Sequence, residues 1–504
     1  MKRLLLAVPL VLALLALASL ALCVASAVAQ ATPAAPSKAA PAGKAATPVL
    51  RSSGAATAEG GSAAGPASPG AAAAPAAASA DAASADLVRL ADDVAKDVEA
   101  IRGWKFKQPV TKQLVTPEQT QAWLEKEIAR QAPPDLIARK QLFLRTVGLL
   151  PPDCDLKKTF LSLMEGQVAG YYDTDDKVLC IVKRKNLRRA GLVERIMLAH
   201  ELTHALDDQH ADLAKFLETR VGQSEDGDLA TASILEGSAT ALMMRYIPRL
   251  QLSGALDLSE LLAYNQEEEE HNRQFFGAPP YFSSFLATYI CGMNFLARGN
   301  VLALMLGDKD VGNEVLAAIK DPPRSTEQIL HPEKYWDAAA RDGPVLVSDE
   351  DVTKMLSQDG RVVVHADTVG EMLCAILTMP KDTKPDPALM ATTAYWTNPA
   401  AAGWGGDRFY ILAAGPSADE ARKTLKDPRA VWLTFWDTEK DRDEFLQAYE
   451  ALPVAGRAAA RIGSLGAAFF YGFTEAERQA IRTKLEKSPP RMTRDSKPWS
   501  PWAL

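Results

Sequence analysis

The chain runs to 504 residues, room for two or three ordinary domains, and 47% hydrophobic composition is ample for sizeable cores. Its formal net charge of −7 lacks the basic excess of a nucleic-acid binder, so no nucleic acid is expected as a partner. Charge alone selects no substrate.

The N-terminus begins Met1-Lys2-Arg3 and continues as an almost unbroken Leu/Ala/Val run from Leu4 to about Val24, followed by Ala27-Val28-Ala29. A basic start, an apolar stretch and small residues at a cleavage site predict a signal peptide over residues 1–29. The same run is long enough to span a bilayer as an uncleaved anchor. A third option, a lipid on Cys23, meets a poor preceding residue in Leu22. The protein is expected to be exported (periplasmic, extracellular or held at the cell envelope), with no membrane span after the leader. Residues 30–85 are Ala, Pro, Gly and Ser with scattered charges. They have too few large apolar side chains to offset the entropy of ordering, and predict a disordered tether.

Folded sequence is expected from residue 86, as one unit over 86–350 and a smaller α+β unit over 351–487. A loosely ordered tail, rich in Pro, Arg and Lys, follows over 488–504. Leu87, Leu90, Val94, Val98 and Ile101 repeat at helical spacing. Thr116 is a candidate N-cap for a helix over Pro117–Ala132. Val168–Tyr172 and Lys177–Val182, around the turn Asp173-Thr174-Asp175-Asp176, read as a β-hairpin. Helices then dominate from Gly191 to about Lys320. In the last third, Arg408–Ala414 and Val431–Trp436 read as strands, with another inside Gly463–Phe473. Thr438 and Thr474-Glu475-Ala476-Glu477 mark helix starts. The fold class is α+β, mostly helical. Cys154, Cys180, Cys291 and Cys374 could form two disulfides in an oxidising compartment, or stay buried as thiols; none lies in a Cys-x-x-Cys pair.

The most informative stretch is Leu198-Ala199-His200-Glu201-Leu202-Thr203-His204-Ala205, a His-Glu-x-x-His pattern inside a predicted helix from about Leu192 to Leu213. Four residues is just over one turn, so His200 and His204 share a face and can bind one zinc ion. Glu201, slightly aside, can reach a water at that ion without binding it. The flanking Ile196, Met197, Leu198, Leu202 and Leu206 argue for a buried helix rather than a charged surface one. A catalytic zinc needs a third protein ligand. Glu236, in an apolar helix expected over Leu229–Tyr246, is the best candidate, because a carboxylate among Ile234, Leu235, Leu242 and Met243 is costly unless paired or metal-bound. Gly237 and Ala239 beside it would let another backbone approach. Glu225 and Asp228, in a stretch that reads as loop, stand in reserve.

His200-Glu201-Leu202-Thr203-His204-Ala205 resembles the zinc helix of thermolysin-type peptidases, and the downstream Glu236 places the resemblance among the gluzincins. That likeness implies a zincin-like catalytic domain with Zn2+ held by His200, His204 and Glu236, and Glu201 as general base. The segments Gly166–Tyr172, His200–His210 and Glu236–Thr240 also resemble a largely uncharacterised group of exported bacterial proteins, with Pro322–Thr326 and Gly403–Asp407 as further points of likeness. The chain departs from the thermolysin type at Thr240, where an aspartate would support a zinc histidine. Asp207 and Asp208 are possible substitutes, or ordinary surface charges.

The expected activity is hydrolysis of a peptide or protein substrate. The alternatives are an exported zinc-binding scaffold without turnover and a zinc hydrolase of a non-peptide amide such as cell-wall material. Oxyanion stabilisation could fall to Tyr171, Tyr172, Tyr246, Arg245 or His331, of which His331, after a Pro-rich loop, has the best case. Val168–Tyr172 offers an edge for strand addition. His210 and His365 read as structural, Glu267–His271 as a solvated charge run, and Trp404 as an aromatic plug at a tight turn.

Overall fold

The computed structural model describes residues 74–165, 168–183, 191–254, 266, 269–307, 309–380, 387–495, 497–498 and 500–501. The leader, Cys23 and the tether as far as residue 73 lie outside the described residues, as do Gly166 and the side chain of His271. Helix covers about 55% and strand 16%, so the protein is α+β with helix in excess. No helix of the described residues is long and apolar enough to cross a membrane.

Helix α1 (Ala74–Arg102) starts inside the stretch read as tether. Alanine is the strongest helix former, and an Ala-rich run prolongs a helix whose later turns are already fixed by packing. Leu87, Ala91, Val94, Val98 and Ile101 are its buried face. Strand β1 (Thr111–Val115) follows, then α2 (Pro117–Gln131), where Thr116 and Gln119 close a capping box. Helices α3 (Pro134–Val147) and α4 (Leu156–Met164) lead to the hairpin of β2 (Gly170–Asp173) and β3 (Val178–Val182). The hairpin is antiparallel and β1 adds parallel to β3, so β1 and β2 are the two edges of this sheet.

The helical centre consists of α5 (Leu192–Ala211), α6 (Leu213–Arg220), α7 (Glu225–Leu252) and α8 (Ser283–Leu296). Ser224 caps α7, so Glu225 and Asp228 lie in its first turn rather than in a loop. Helices α7 and α8 touch backbone to backbone. A Cβ on Gly237 would stand 2.2 Å from the carbonyl carbon of Gly292, and one on Gly292 1.9 Å from the Ser233 oxygen. The close approach expected at Gly237 is made. A short helix α9 (Thr326–Leu330) follows.

The C-terminal unit holds β4 (Arg361–Asp367), α10 (Gly370–Leu377), β5 (Trp404–Ala414), β6 (Arg429–Trp436), α11 (Glu439–Glu450), β7 (Arg457–Ile462), β8 (Gly466–Tyr471) and α12 (Glu475–Lys487). Its strands form one antiparallel sheet in the order β4-β5-β6-β8-β7. Alternation along each strand gives it two apolar faces. Phe409, Ile411, Trp432 and Phe469 join the main core, while Tyr410, Leu412, Val431 and Phe470 pack with Ile481 and Leu485 of α12. Trp404 begins β5 at the end of a turn, where its N–H donates to the Ala401 carbonyl at 3.2 Å, and its fully buried indole donates to Asp407 at 3.0 Å. The tail is better held than its composition predicts. Met492–Arg494 pairs with Leu346–Val347, and Arg494 reaches Asp342 and Asp437 at 2.5 and 2.9 Å. All four described cysteines are free thiols.

The C-terminal unit is latched to the first turn of α7. The Glu225 N–H donates to Asp367 at 2.7 Å, and Asp226 N–H to the Thr368 carbonyl at 3.2 Å. The Asp226 carboxylate accepts from the amide and hydroxyl of Thr326 at 2.9 and 2.5 Å. Gly370, at φ +81°, lies so close that a Cβ would overlap Asp226. Burial raises Asp226 to about 7, against the pull of both Thr326 hydrogen bonds. A folded-state pKa above the unfolded one makes protonation favour folding, so this contribution is full in acid and lost as pH rises through about 7. Asp226→Asn keeps an acceptor for Thr326 and is expected to remove that loss. Between mildly acidic and mildly alkaline buffer the variant should lose less stability than wild type by on the order of 2 kcal/mol. Urea unfolding at the two pH values measures it, and parallel pH profiles would reject the assignment.

Candidate metal centre

Helix α5 is buried on nearly every side, so its two histidines point into protein rather than solvent. His200 Nε2 and His204 Nε2 are 3.1 Å apart, with their rings edge to face at 86°. Glu236 Oε2, from the middle of α7, lies 3.1 Å from the first and 3.8 Å from the second. Among the described residues these three converge as a possible metal-ligand group. Tetrahedral zinc, with bonds of about 2.0–2.1 Å, sets its donors roughly 3.3 Å apart. The triangle fits.

The electrostatics fit as well. Burial lowers both imidazoles to about 3, so at neutral pH each is uncharged and can offer a lone pair. Burial raises Glu236 to about 7, against the pull of His204 and a Tyr289 hydrogen bond. Glu236 Oε1 is buried with no hydrogen-bond partner among the described residues, as is Nδ1 of each histidine. A carboxylate without a cation beside two uncharged imidazoles is a costly arrangement that a divalent ion would satisfy.

Glu201, one residue past His200, is held differently. Its Oε2 accepts the backbone N–H of Tyr172 at 3.0 Å, so the edge strand β2 fixes the carboxylate beside the ligands. Burial and the charge of Glu236 both push Glu201 well above the usual carboxylate range.

Around this group a polar frame ties the elements together. Arg102, buried at the end of α1, pairs with Asp207 at 3.2 Å and Asp310 at 2.6 Å and donates to Ser238 at 2.7 Å. Asp208 accepts from the Tyr172 hydroxyl at 2.7 Å, Lys177 at 2.7 Å and the Leu213 N–H at 2.9 Å, locking the hairpin to α5. Asp207 and Asp208 therefore act as buried struts and not as surface charges. Neither replaces the aspartate missing at Thr240, since the histidine Nδ1 atoms stay unpartnered.

Tyr289 on α8 was not among the expected residues. Its ring stacks on His200 at 5.7 Å and its hydroxyl hydrogen-bonds Glu236. A tyrosine in an apolar helix reads as core, and nothing local in its sequence marks a polar partner.

The other expected residues have partners elsewhere. His331 is not brought to His200, His204 and Glu236: its Nε2 contacts Glu371 at 2.9 Å and its Nδ1 lies 3.7 Å from Glu333. The Pro-rich loop before it is ordered, but it delivers the ring to α10. Tyr171 stacks on Trp123 at 4.1 Å, Tyr246 donates to Asp97 at 3.2 Å, and Arg245 binds the Lys309 carbonyl. His210 stacks on Trp104, and His365 lies 3.3 Å from Asp367. A second acidic group, Glu327, Asp342 and Asp437, is filled by the chain's own cations, since Lys334 lies 2.5 Å from Glu327 and 3.1 Å from Asp437 and Arg494 binds the two aspartates.

No curated protein and no solved structure matches the chain. One family model matches residues 358–487, from the loop before β4 to the end of α12, and it describes a domain of unknown function, DUF8575.

Proposed function

We propose that this protein is an exported zinc-dependent metallopeptidase of the gluzincin type, with a zincin-like domain built around α5 and α7. The observation that carries the reading is the convergence of His200, His204 and Glu236 beside a fourth residue, Glu201, that is not a ligand. His200, His204 and Glu236 would hold the ion, and no fourth donor joins the group among the described residues. Zinc so held supplies Lewis acidity, lowering the pKa of water to about 7 and polarising a carbonyl.

The chain's own residues supply the proton chemistry. With Oε2 engaged by the Tyr172 amide, Glu201 has Oε1 to accept a proton from the attacking water and return it to the departing amine. A raised pKa suits a carboxyl that must hold a proton between those two events. Tyr289 orients Glu236 and walls one side of His200. The edge strand β2 runs past Glu201, which takes its Tyr172 N–H, and the rest of that edge would let an extended peptide add as a further strand.

A resident zinc without turnover is the second reading, and complete burial of all three ligands favours it, since substrate needs an opening. Metal analysis of the purified chain tests both. About one zinc per chain is expected, lost in His204→Ala, together with cleavage of a peptide library that chelation stops and zinc restores. Bound zinc with no cleavage of any library member leaves the scaffold reading. No zinc above the level of His204→Ala ends both.

A further inference from the structure

A cavity of about 260 Å³ lies at the far end of the two helices that carry Glu236 and Tyr289. Glu225 on its wall stands three turns before Glu236 along α7, about 16 Å away along the axis. Phe285, also on its wall, is one turn before Tyr289 on α8. Helices α2 to α4 close one side and β4 of the C-terminal unit another. No metal ligand lines it.

Its walls are mostly apolar, with Ile128, Ile137, Phe160 and Phe285 prominent; its carboxylates lie on α7 and β4, and Lys140 and Lys157 reach it from α3 and α4. Most of these are already matched. Lys140 pairs with Glu225, which also accepts from the Tyr281 hydroxyl at 2.7 Å. Asp367 accepts the N–H groups of Glu225 and Thr368 at 2.7 and 2.8 Å and has His365 at 3.3 Å. Asp228 differs. It is only 5% exposed, its Oδ1 accepts the Gly222 N–H at 2.6 Å, and its Oδ2 accepts no hydrogen bond among the described residues. Three carboxylates thus share Lys140 and His365 inside the cavity, the only other lining cation, Lys157, is exposed, and Asp228 has no ion-pair partner among the described residues. Burial, against the pull of Lys140, raises its pKa to about 7, as expected for a carboxylate short of positive charge.

We propose that this cavity binds a small amine with an apolar body, its ammonium on Asp228 and its hydrocarbon against Ile137, Phe160 and Phe285. An anion would meet an excess of carboxylate. A divalent ion would need six or more oxygens, and the other carboxylates are already bound to protein donors. A neutral hydrocarbon would leave Asp228 as it is. An ammonium gives Asp228 a charge-assisted hydrogen bond where solvent is scarce, and the apolar walls take the remainder of the molecule. The inference stands apart from the metal centre.

The test is calorimetric titration of the full chain with n-hexylamine, 1-hexanol and hexanoate, with zinc content recorded in parallel. Saturable binding of hexylamine at one per chain is expected, about tenfold or more tighter than hexanol, with none for hexanoate. Asp228→Asn keeps the Gly222 hydrogen bond and should bring hexylamine down to the level of hexanol. Ile137→Trp, which fills the cavity, should remove both, and zinc content should not change in either variant. Equal binding of hexylamine and hexanol, unaltered binding by Asp228→Asn, or no saturable binding of hexylamine overturns the proposal. The ligand series on wild type decides it even if a variant fails to fold.

Discussion

Glu201→Gln is expected to keep about one zinc per chain and to lose peptide hydrolysis by a factor of roughly 10² to 10⁴, the usual contribution of general acid–base catalysis. The substitution is nearly isosteric, and a glutamine oxygen can still accept the Tyr172 N–H, so β2 and α5 stay joined. The proposed ligand atoms belong to His200, His204 and Glu236 and are untouched. What disappears is a basic oxygen able to take a proton. Removing a buried carboxylate beside Glu236 also relieves like-charge repulsion, so folding stability should hold or rise. Cleavage of a fluorogenic peptide library, with zinc measured on the same samples, provides the readout. Hydrolysis within threefold of wild type would show that Glu201 is not the base.

Arg102→Met is expected to lower stability by about 3–5 kcal/mol, the cost of breaking a buried ion pair from one side. Arg102 reaches the helices of both His204 and Glu236, through Asp207 on α5 and Ser238 on α7. Its side chain is fully buried, and so are those of Asp207 and Asp310. Methionine fills much of the volume but leaves two carboxylates without a cation. Burial already raises Asp207, and Arg102 is the main opposing charge. Because Asp207 follows His204 on α5 and Ser238 follows Glu236 on α7, zinc affinity should fall with stability. Denaturant midpoints and competition with a zinc chelator measure the two effects. A change below about 1 kcal/mol would mean that packing, not this cation, holds the helices in register. Arg102→Lys should recover only part of the loss, since one ammonium cannot fork to both aspartates.

How much of this was legible in the sequence depended on distance along the chain. His200 and His204 are one turn apart, so helix geometry alone places them together. Glu236 was reachable because a carboxylate in an apolar helix requires an explanation. Tyr289 carries no such signal, since an aromatic ring in an apolar helix is already explained by packing. His331 lies apart from His200, His204 and Glu236 because its partner, Glu371, comes forty residues later on an element the local sequence does not foretell. Strand β1 was missed for a similar reason. Thr111-Lys112-Gln113 is polar, and only its pairing with β3 makes it a strand. The first turn of α7 read as loop because Gly227 interrupts it, although Ser224 is a good N-cap. Residues 74–85 read as tether because composition reports on side chains to be buried, whereas helix α1 there continues from turns already anchored.

The latch on α7 bears on how this chain can be divided. A strand and a loop of the C-terminal unit occupy the amides of Glu225 and Asp226, which in a lone helix would face water or a substitute acceptor. A fragment ending near residue 350 would therefore uncover the start of the helix that carries Glu236. The C-terminal unit behaves as a keystone of the half that carries His200, His204 and Glu236 rather than a passenger, and a protein built from the first half alone would need another cap in its place.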